Sequence, residues 1–363
     1  MATKKSRSKL IIVFLLIAVV LISGCAGKKA TPAQAAAGGG KIFVGGDKGL
    51  VASFLSGAPP KDTYKGEAFD ISVNLENKGE AEIAAGAAKV YLGGVSLDSF
   101  GMGSGKSGCA AVPWAAANIK TECQKITSAS ACASANLDAV AGGGECVWTS
   151  DASQRSNKEV ITAANLVGSQ VVPGGQEEIA YAAKGYQYDV PGAGLNDLTL
   201  TATVCYPYKT TAIALACLSP NLLAETVGKE VCKVSGEKNP QSSGAPVKVT
   251  SVVELPLGKH KAGFQVKIKD VGNGNAFQKP VDGCRDMKQS DLGKIAVSAA
   301  LGTTSLSCSP PTVTLAENKE ATTTCKPAGD LAIEGVSQQV LTVTLGYNYL
   351  TQTSQKFNVK PSS

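Results

Sequence analysis

The side chains that most often carry out catalysis are scarce in this chain. Its 363 residues include a single histidine, His260, which lies between Lys259 and Lys261. Neighbouring positive charges disfavour both protonation of an imidazole and binding of a cation beside it. Acid–base, triad and zinc chemistry commonly depend on histidine. We therefore expect a protein that is not an enzyme, with no catalytic residue, no metal and no cofactor.

The segment 101–107, Gly-Met-Gly-Ser-Gly-Lys-Ser, ends like the phosphate-binding P-loop. That motif requires a glycine five positions before Gly105, where this chain has Phe100. It also requires a helix directly afterwards, whereas Gly108 and Pro113 interrupt the following residues. A loop that binds no nucleotide is the better interpretation.

Oxygen-bearing side chains are grouped at Asp270, Asn273 and Asn275, around two glycines. Oxygen atoms are the ligands that calcium prefers, but the spacing differs from an EF-hand loop and no bidentate glutamate follows. A turn after a strand is therefore expected here.

The two tryptophans, Trp114 and Trp148, lie in one short segment. Tryptophan is enriched at interface hot spots because it contributes a large apolar area with few rotamers to immobilise. Both residues are candidates for contact with a partner. The alternative is that they form the core of a small, disulfide-stapled module.

Cysteine usage indicates an oxidising compartment. Eleven cysteines are present, and if Cys25 carries a lipid the remaining even number is available for up to five disulfides. The absence of a Cys-x-x-Cys pair argues against zinc and thioredoxin-like sites. We expect Cys308 to pair with Cys325, since they flank a Pro-Pro turn, and leave the other pairings open. The ten candidates are Cys109, Cys123, Cys132, Cys146, Cys205, Cys217, Cys232, Cys284, Cys308 and Cys325.

The N-terminus has the pattern of an export signal. Residues 1–9 carry four positive charges and Leu10–Ile22 is wholly apolar. The next residues, up to Cys25, resemble the lipobox of bacterial and archaeal lipoproteins, which implies lipidation at Cys25. We expect a signal over 1–24, or an uncleaved anchor helix, and a flexible tether over 25–40. The rest would lie outside the cytoplasm, anchored to the cell membrane.

Composition narrows the remaining classes. The chain is 44% hydrophobic but only 5% aromatic and 18% charged, with 40 glycines and 16 prolines, which favours a loop-rich β protein. A mean hydropathy near zero excludes a polytopic membrane protein. The net charge is +6, and four positive charges precede residue 10, so the remainder is too neutral for a nucleic-acid binder.

Two pairs of similar strands indicate an internal repeat. Phe69–Leu75 alternates apolar and polar residues before a turn, and Phe264–Lys269 does the same. Later, Leu200–Tyr208 matches Leu341–Tyr349 residue by residue, including a Tyr-x-Tyr pair. This duplication favours a packing role for the four tyrosines.

The predicted architecture is all-β, with two tandem immunoglobulin-like β-sandwiches. The first spans 41–235 and contains a cysteine- and tryptophan-bearing insertion at about 101–157. The second spans 247–363, and the Gly-, Pro- and Ser-rich segment 236–246 is the predicted linker.

The residues 67–79, ending in Asn77-Lys78-Gly79, and 264–274 resemble the opening strand and turn of CARDB-like domains. The second copy departs from the pattern, with Asp270-Val271-Gly272 in place of the Asn-x-Gly turn. The segments 45–50 and 205–210 are similar to stretches of archaeal surface lipoproteins. The resemblance implies an immunoglobulin-like fold and a surface location, and carries no catalytic residue.

These observations predict a membrane-anchored structural, adhesive or protein-binding module whose partner is a cell-envelope protein. The alternative is a surface lipoprotein that captures a solute or glycan, although two tryptophans are few for a carbohydrate-binding face.

Overall fold

A computed structural model describes residues 41–103, 108–111, 123, 125–126, 146–149, 153–223 and 232–362. The described residues from Lys41 onward form one compact unit. The described residues are mostly β-strands connected by turns, with three short 3₁₀ segments. The all-β prediction is confirmed.

The strands of the first half are β1 (Leu50–Phe54), β2 (Asp62–Tyr64), β3 (Phe69–Asn77), β4 (Lys89–Gly93), β5 (Gly108–Ala111), β6 (Cys146–Thr149), β7 (Gln154–Ser156), β8 (Asn165–Val167), β9 (Gln170–Val172), β10 (Gln176–Ala183) and β11 (Leu195–Leu218). Those that follow are β12 (Gly236–Glu237), β13 (Gln241–Ser242), β14 (Val247–Gly258), β15 (Lys261–Asp270), β16 (Asn275–Phe277), β17 (Lys294–Leu301), β18 (Thr304–Ser309), β19 (Thr312–Thr314), β20 (Glu320–Pro327) and β21 (Ser337–Lys360). The 3₁₀ segments are Leu97–Phe100, Val281–Asp286 and Gln289–Asp291.

The two halves repeat one pattern of strand pairing. β1 pairs antiparallel with β3, with Leu50 opposite Asn77, and β14 pairs antiparallel with β15, with Val247 opposite Asp270. The other edges of β3 and β15 pair with β10 and β20. β4 pairs with β11, and β17 pairs with β21. The repeat read from the sequence is therefore also a repeat in structure.

The two long strands join the halves. β11 pairs antiparallel with β21 along almost its whole length, from Leu195 opposite Val359 to Leu218 opposite Ser337. Tyr206 lies opposite Tyr349 at the centre of this ladder. Because equivalent strands pair antiparallel, the halves are related by an approximate two-fold axis near this position. Both halves consequently contribute strands to one 14-stranded sheet and residues to one hydrophobic core.

The predicted linker carries two short strands. Gly236–Glu237 pairs with β14, and Gln241–Ser242 pairs with β11. The segment thus contacts strands from both halves through backbone hydrogen bonds. The division into two immunoglobulin-like sandwiches at 236–246 stays a prediction, and the structure shows which strands bridge it.

Three disulfides have both cysteines in the described residues. Cys308–Cys325 links β18 to β20, as predicted, and Cys217–Cys232 closes a second short loop. Cys205–Cys284 links the two halves across 79 residues. Disulfides persist in oxidising compartments, which places the protein in an extracytoplasmic environment. Cys123 is also disulfide-bonded.

Several predictions lie outside the described residues. They include the signal or anchor at 1–24, the tether at 25–40 with its lipidation site Cys25, and most of the insertion at 101–157. Within the described part of the chain, no helix has the length and apolar character needed to cross a bilayer.

Candidate functional site

Four tyrosines form the centre of the scaffold. Tyr206, Tyr208, Tyr347 and Tyr349 are all at least 95% buried. Their rings lie on one face of the β11–β21 pair because alternate residues of a strand point to the same side. Ring centroids are 6.0 Å apart between Tyr206 and Tyr349 and 6.2 Å apart between Tyr208 and Tyr347. The predicted packing role of the tyrosine pairs is confirmed.

Tyr208 and Tyr349 each form a hydrogen bond to a turn of their own half. Tyr208 Oη accepts from the amide of Ala81 at 3.3 Å, and Tyr349 Oη accepts from the amide of Gly274 at 2.9 Å. Tyr349 Oη also donates to the Asp270 carboxylate at 3.0 Å. These bonds tie the turn after β3 and the turn after β15 to the central ladder.

The same two turns are built on a matched pair of side chains. Asn77 Oδ1 accepts from the Gly79 amide at 3.1 Å, and Asp270 Oδ1 accepts from the Gly272 amide at 3.0 Å. Asp270 therefore forms a turn inside the protein, as the sequence predicts for this segment. No cluster of potential metal ligands is found among the described residues.

The tyrosines are neutral at physiological pH, as tyrosine ordinarily is, and burial moves their pKa further from it. Burial raises the pKa of Tyr208 to about 12 and raises the pKa of Tyr206 and of Tyr347 well above the ordinary value. The pKa of Tyr349 is raised by burial and then by the charge of Asp270. The hydroxyls consequently act as neutral hydrogen-bonding groups of a rigid core, and a binding site must be sought on another face.

The opposite face of the same sheet carries a groove with a volume of about 550 Å³. Its floor includes Thr201 and Thr203 of β11 with Leu350 and Gln352 of β21. Along each strand these residues alternate with the residues of the buried tyrosine face. Their side chains therefore point to the opposite side of the sheet, toward the groove. The lining is completed by Tyr91, Leu92, Gly93, Gly94, Asn275, Cys284, Arg285, Met287 and Leu292.

One wall of the groove is held by several independent contacts. The 3₁₀ segment Val281–Asp286 is attached to β11 by the Cys205–Cys284 disulfide. Tyr91 Oη donates to the carbonyl of Asp282 at 3.2 Å, and Lys89 forms an ion pair with the carboxylate of that residue at 3.4 Å. The wall is thus fixed to strands of the first half although its residues belong to the second.

Arg285 is the charged side chain of the groove. Its guanidinium carbon lies 5.6 Å from the ring centroid of Tyr91, in cation–π geometry, and its Nη1 donates to Ser153 Oγ at 3.1 Å. On the floor, Gln352 Nε2 donates to Thr203 Oγ1 at 3.0 Å. The described lining contains hydroxyl, amide and guanidinium groups and no histidine or carboxylate. This arrangement is suited to hydrogen bonding with a ligand and lacks a paired acid and base.

Of the sequence-based candidates that the structure describes, Asn275 and Cys284 line this groove and the others do not. Trp114 and the side chain of Trp148 lie outside the described residues, so their contact role stays a prediction. His260 lies in the turn between β14 and β15, where its carbonyl accepts a bond from the Leu331 amide. The start of the segment 101–107 follows the 3₁₀ segment Leu97–Phe100, and its last four residues are not described.

Sequence reasoning did not predict the groove, although it named two of its lining residues, Asn275 and Cys284, for other roles. The floor residues are ordinary polar positions of alternating strands, and Arg285 has no motif around it. Cys284 carried the available signal, because a disulfide to the other half brings its neighbour Arg285 onto the shared sheet. The pairing itself required the structure.

Comparison with known proteins adds little to this geometry. No protein-family model matches the chain, and no curated protein matches it. The solved structures that match include the secreted serine protease VesC from Vibrio cholerae, with 9% identity and a TM-score of 0.16. That match covers 87% of this chain and 52% of the protease, so the chain spans about half the length of that protein. A similarity of this size carries no inference about fold or activity.

Proposed function

We propose that this protein is a non-enzymatic, membrane-anchored module of the cell envelope that binds a partner protein through the groove. The observation that carries the proposal is the groove itself, an open concave surface at the junction of the two halves with a covalently fixed wall. A preformed site loses less conformational entropy on binding than a mobile one.

The lining favours a protein partner. Arginine is enriched at protein interfaces, and here Arg285 is held over the ring of Tyr91. Thr201, Thr203 and Gln352 offer donors and acceptors along the floor, which suit the backbone of a loop or extended segment. Arg285 adds a preference for a carboxylate or a carbonyl-rich turn.

Attachment to the membrane through Cys25 or an uncleaved helix is part of this proposal. The apolar run Leu10–Ile22 and the lipobox-like residues support it. The resemblance to CARDB-like domains of surface proteins is consistent with the same role. The disulfides support an extracytoplasmic location.

Site-specific photo-cross-linking tests the groove. A photo-reactive amino acid replaces Gln352 on the floor, and in a control it replaces exposed Lys326 on β20. Each purified protein is illuminated with the solubilised envelope of its source cells. We expect a discrete protein adduct from position 352 that is absent from position 326. Adding Thr203→Arg, which fills the floor, should reduce that adduct at least tenfold. Equal adducts from both positions, or an adduct unaffected by Thr203→Arg, would contradict the proposal.

Capture of a glycan is the second candidate, and the neutral hydroxyl and amide groups of Thr203, Asn275 and Gln352 favour it. Against it, the aromatic side chain of the groove, Tyr91, is 97% buried and lies beneath Arg285, so its face is not open for sugar stacking. Calorimetric titration with envelope polysaccharide distinguishes the two. A saturable heat of binding that is lost in the Thr203→Arg variant would favour glycan capture. No binding heat with the natural protein would favour the protein partner.

A further inference from the structure

A hairpin with three exposed valines lies in the first half. β8 and β9 form a two-stranded sheet of their own, joined by the turn Gly168-Ser169. Val167, Val171 and Val172 are 60%, 52% and 41% exposed. By the strand register, Val167 and Val172 lie on one face of the hairpin and Val171 lies on the other. Single exposed apolar side chains are common on protein surfaces, but three of them within one short hairpin indicate an interaction surface.

The charge pattern around the hairpin is also unusual. Residues 160–175 contain no charged side chain, although 18% of the chain is charged. Charged groups are costly to bring into lipid, whereas valine is favourable there. The hairpin thus lacks the charged groups that oppose entry into the interfacial layer of a bilayer.

The hairpin lies beside the point where the chain joins the fold. The amides of Val44 and Gly45 donate to the Glu80 carboxylate at 2.8 and 2.9 Å. The adjacent Gly79 carbonyl accepts from the amide of Ala164 at 2.9 Å, directly before β8. From Ala164 to Val167 is three residues, about 10 Å of extended chain. The forty residues that precede Lys41, with the apolar run Leu10–Ile22, therefore connect to the same end of the molecule as the exposed valines.

We propose that the β8–β9 hairpin inserts its valines into the lipid surface next to the N-terminal anchor. The inference rests on the membrane attachment proposed above and adds a second contact to it. Two contacts restrict the orientation of the folded unit, whereas a tether alone leaves it free to rotate. The groove would then face a defined direction relative to the membrane.

Depth measurement by electron paramagnetic resonance tests this contact. A ketone-bearing amino acid replaces Ser169 at the tip and carries a nitroxide, which leaves the cysteines unchanged. The matched control label replaces Thr303, which lies in the β17–β18 hairpin turn among exposed polar residues. The full-length protein is placed on vesicles of phosphatidylcholine and phosphatidylglycerol in a 3:1 ratio. Collision with oxygen, which enriches in lipid, is compared with collision with a water-soluble nickel complex.

We expect the oxygen-to-nickel collision ratio at position 169 to rise at least threefold on vesicle binding and to stay unchanged at position 303. Val167→Asp combined with Val171→Asp should abolish the rise while circular dichroism and disulfide content stay the same. If the protein co-floats with vesicles but the label stays in water, the hairpin proposal fails and the anchor stands. If the protein does not co-float, the anchor proposal fails. Protection of the label from both reagents would indicate a protein contact, such as a second copy, and would overturn insertion into lipid.

Discussion

At the scale of single residues, the clearest difference between the halves is Asn77 against Asp270. Both side chains close the turn after an equivalent strand, but their surroundings differ. Asn77 Nδ2 donates to the carbonyls of Ala81 and Thr162 at 2.8 and 3.1 Å. Asp270 instead accepts from the Tyr349 hydroxyl. An amide is needed at Asn77 because two carbonyl oxygens accept from its Nδ2. A carboxylate fits at Asp270 because a hydroxyl donates to it.

Exchanging these two residues should have unequal effects. Asn77→Asp removes a buried donor and places a carboxylate against carbonyl oxygens, so we expect a loss of about 2–4 kcal/mol in the free energy of unfolding. Asp270→Asn keeps an accepting oxygen and should change stability by less than about 1 kcal/mol at acidic pH. Urea denaturation of both variants measures this. Equal losses would contradict the assigned hydrogen bonds.

Replacing Asp270 by asparagine should also change how the stability of the protein depends on pH. Burial raises the pKa of Asp270 above its ordinary value of 3.8, so the folded state binds the proton more tightly than the unfolded state. The contribution of Asp270 to stability is therefore present below pH 3.8 and decreases as the pH rises through its folded pKa. Asparagine does not titrate. We expect the stability of the variant relative to the natural protein to increase as the pH rises from 4 to 7, and a constant difference would refute this.

Two glycines are required by the tyrosine core. A Cβ at Gly79 would lie 1.9 Å from Tyr208 Oη, and a Cβ at Gly272 would lie 2.4 Å from Tyr349 Oη. Gly79→Ala and Gly272→Ala should each reduce thermal stability, by about 2 kcal/mol or more. Gly346→Ala is the matched control, since a Cβ there meets nothing within 4 Å. Differential scanning calorimetry would show the idea to be wrong if all three variants melted alike.

At the scale of elements, the disulfides differ in what they hold together. Cys217–Cys232 closes a loop of 15 residues within one half, whereas Cys205–Cys284 spans 79 residues and fixes the wall of the groove. Chain-entropy arguments predict that the longer loop restricts the unfolded chain more strongly. The Cys205–Cys284 bridge is therefore expected to affect both stability and binding.

Replacing each pair of cysteines by serine separates these roles. We expect the loss for Cys205 and Cys284 to exceed that for Cys217 and Cys232 by about 1.5 kcal/mol in the free energy of unfolding. Partner cross-linking from position 352 should decrease only in the variant that lacks the Cys205–Cys284 bridge. Retention of the full cross-linking yield without the 205–284 bridge would show that the wall does not depend on it.

At the scale of the whole molecule, the β11–β21 ladder makes the halves mutually dependent. Separating them would leave a long hydrogen-bonding edge and a row of buried tyrosines exposed on each part. Unpaired edges of this length associate with other strands. The intact protein is therefore expected to unfold in one cooperative transition.

Fragments 41–246 and 247–363 test this dependence. Because equivalent strands pair about an approximate two-fold axis, each fragment alone should form a dimer through its own β11 or β21. A mixture should instead yield the one-to-one complex, as measured by light scattering after size exclusion. Stable monomeric fragments would establish the tandem of independent sandwiches that the sequence predicts.

Local sequence determined individual strands, the internal repeat and one disulfide of this protein. Alternating residues in Phe69–Leu75 and Phe264–Lys269 identify strands, because side chains of a strand point to opposite faces in turn. The matching segments Leu200–Tyr208 and Leu341–Tyr349 identify the repeat. The pair Cys308–Cys325 was predictable because its cysteines flank one short turn, so their proximity is a local property.

Only the tertiary structure decided which strands became neighbours. The alternation in Leu200–Tyr208 requires one buried face, but it does not specify the partner that covers that face or completes the backbone hydrogen bonds. Pairing β11 with β21 and Cys205 with Cys284 depends on contacts between residues far apart in the chain. The groove follows from those contacts, because it lies on the reverse face of strands that the two halves share. Its side chains acquire a common surface only when the long-range packing of the tyrosine face is satisfied.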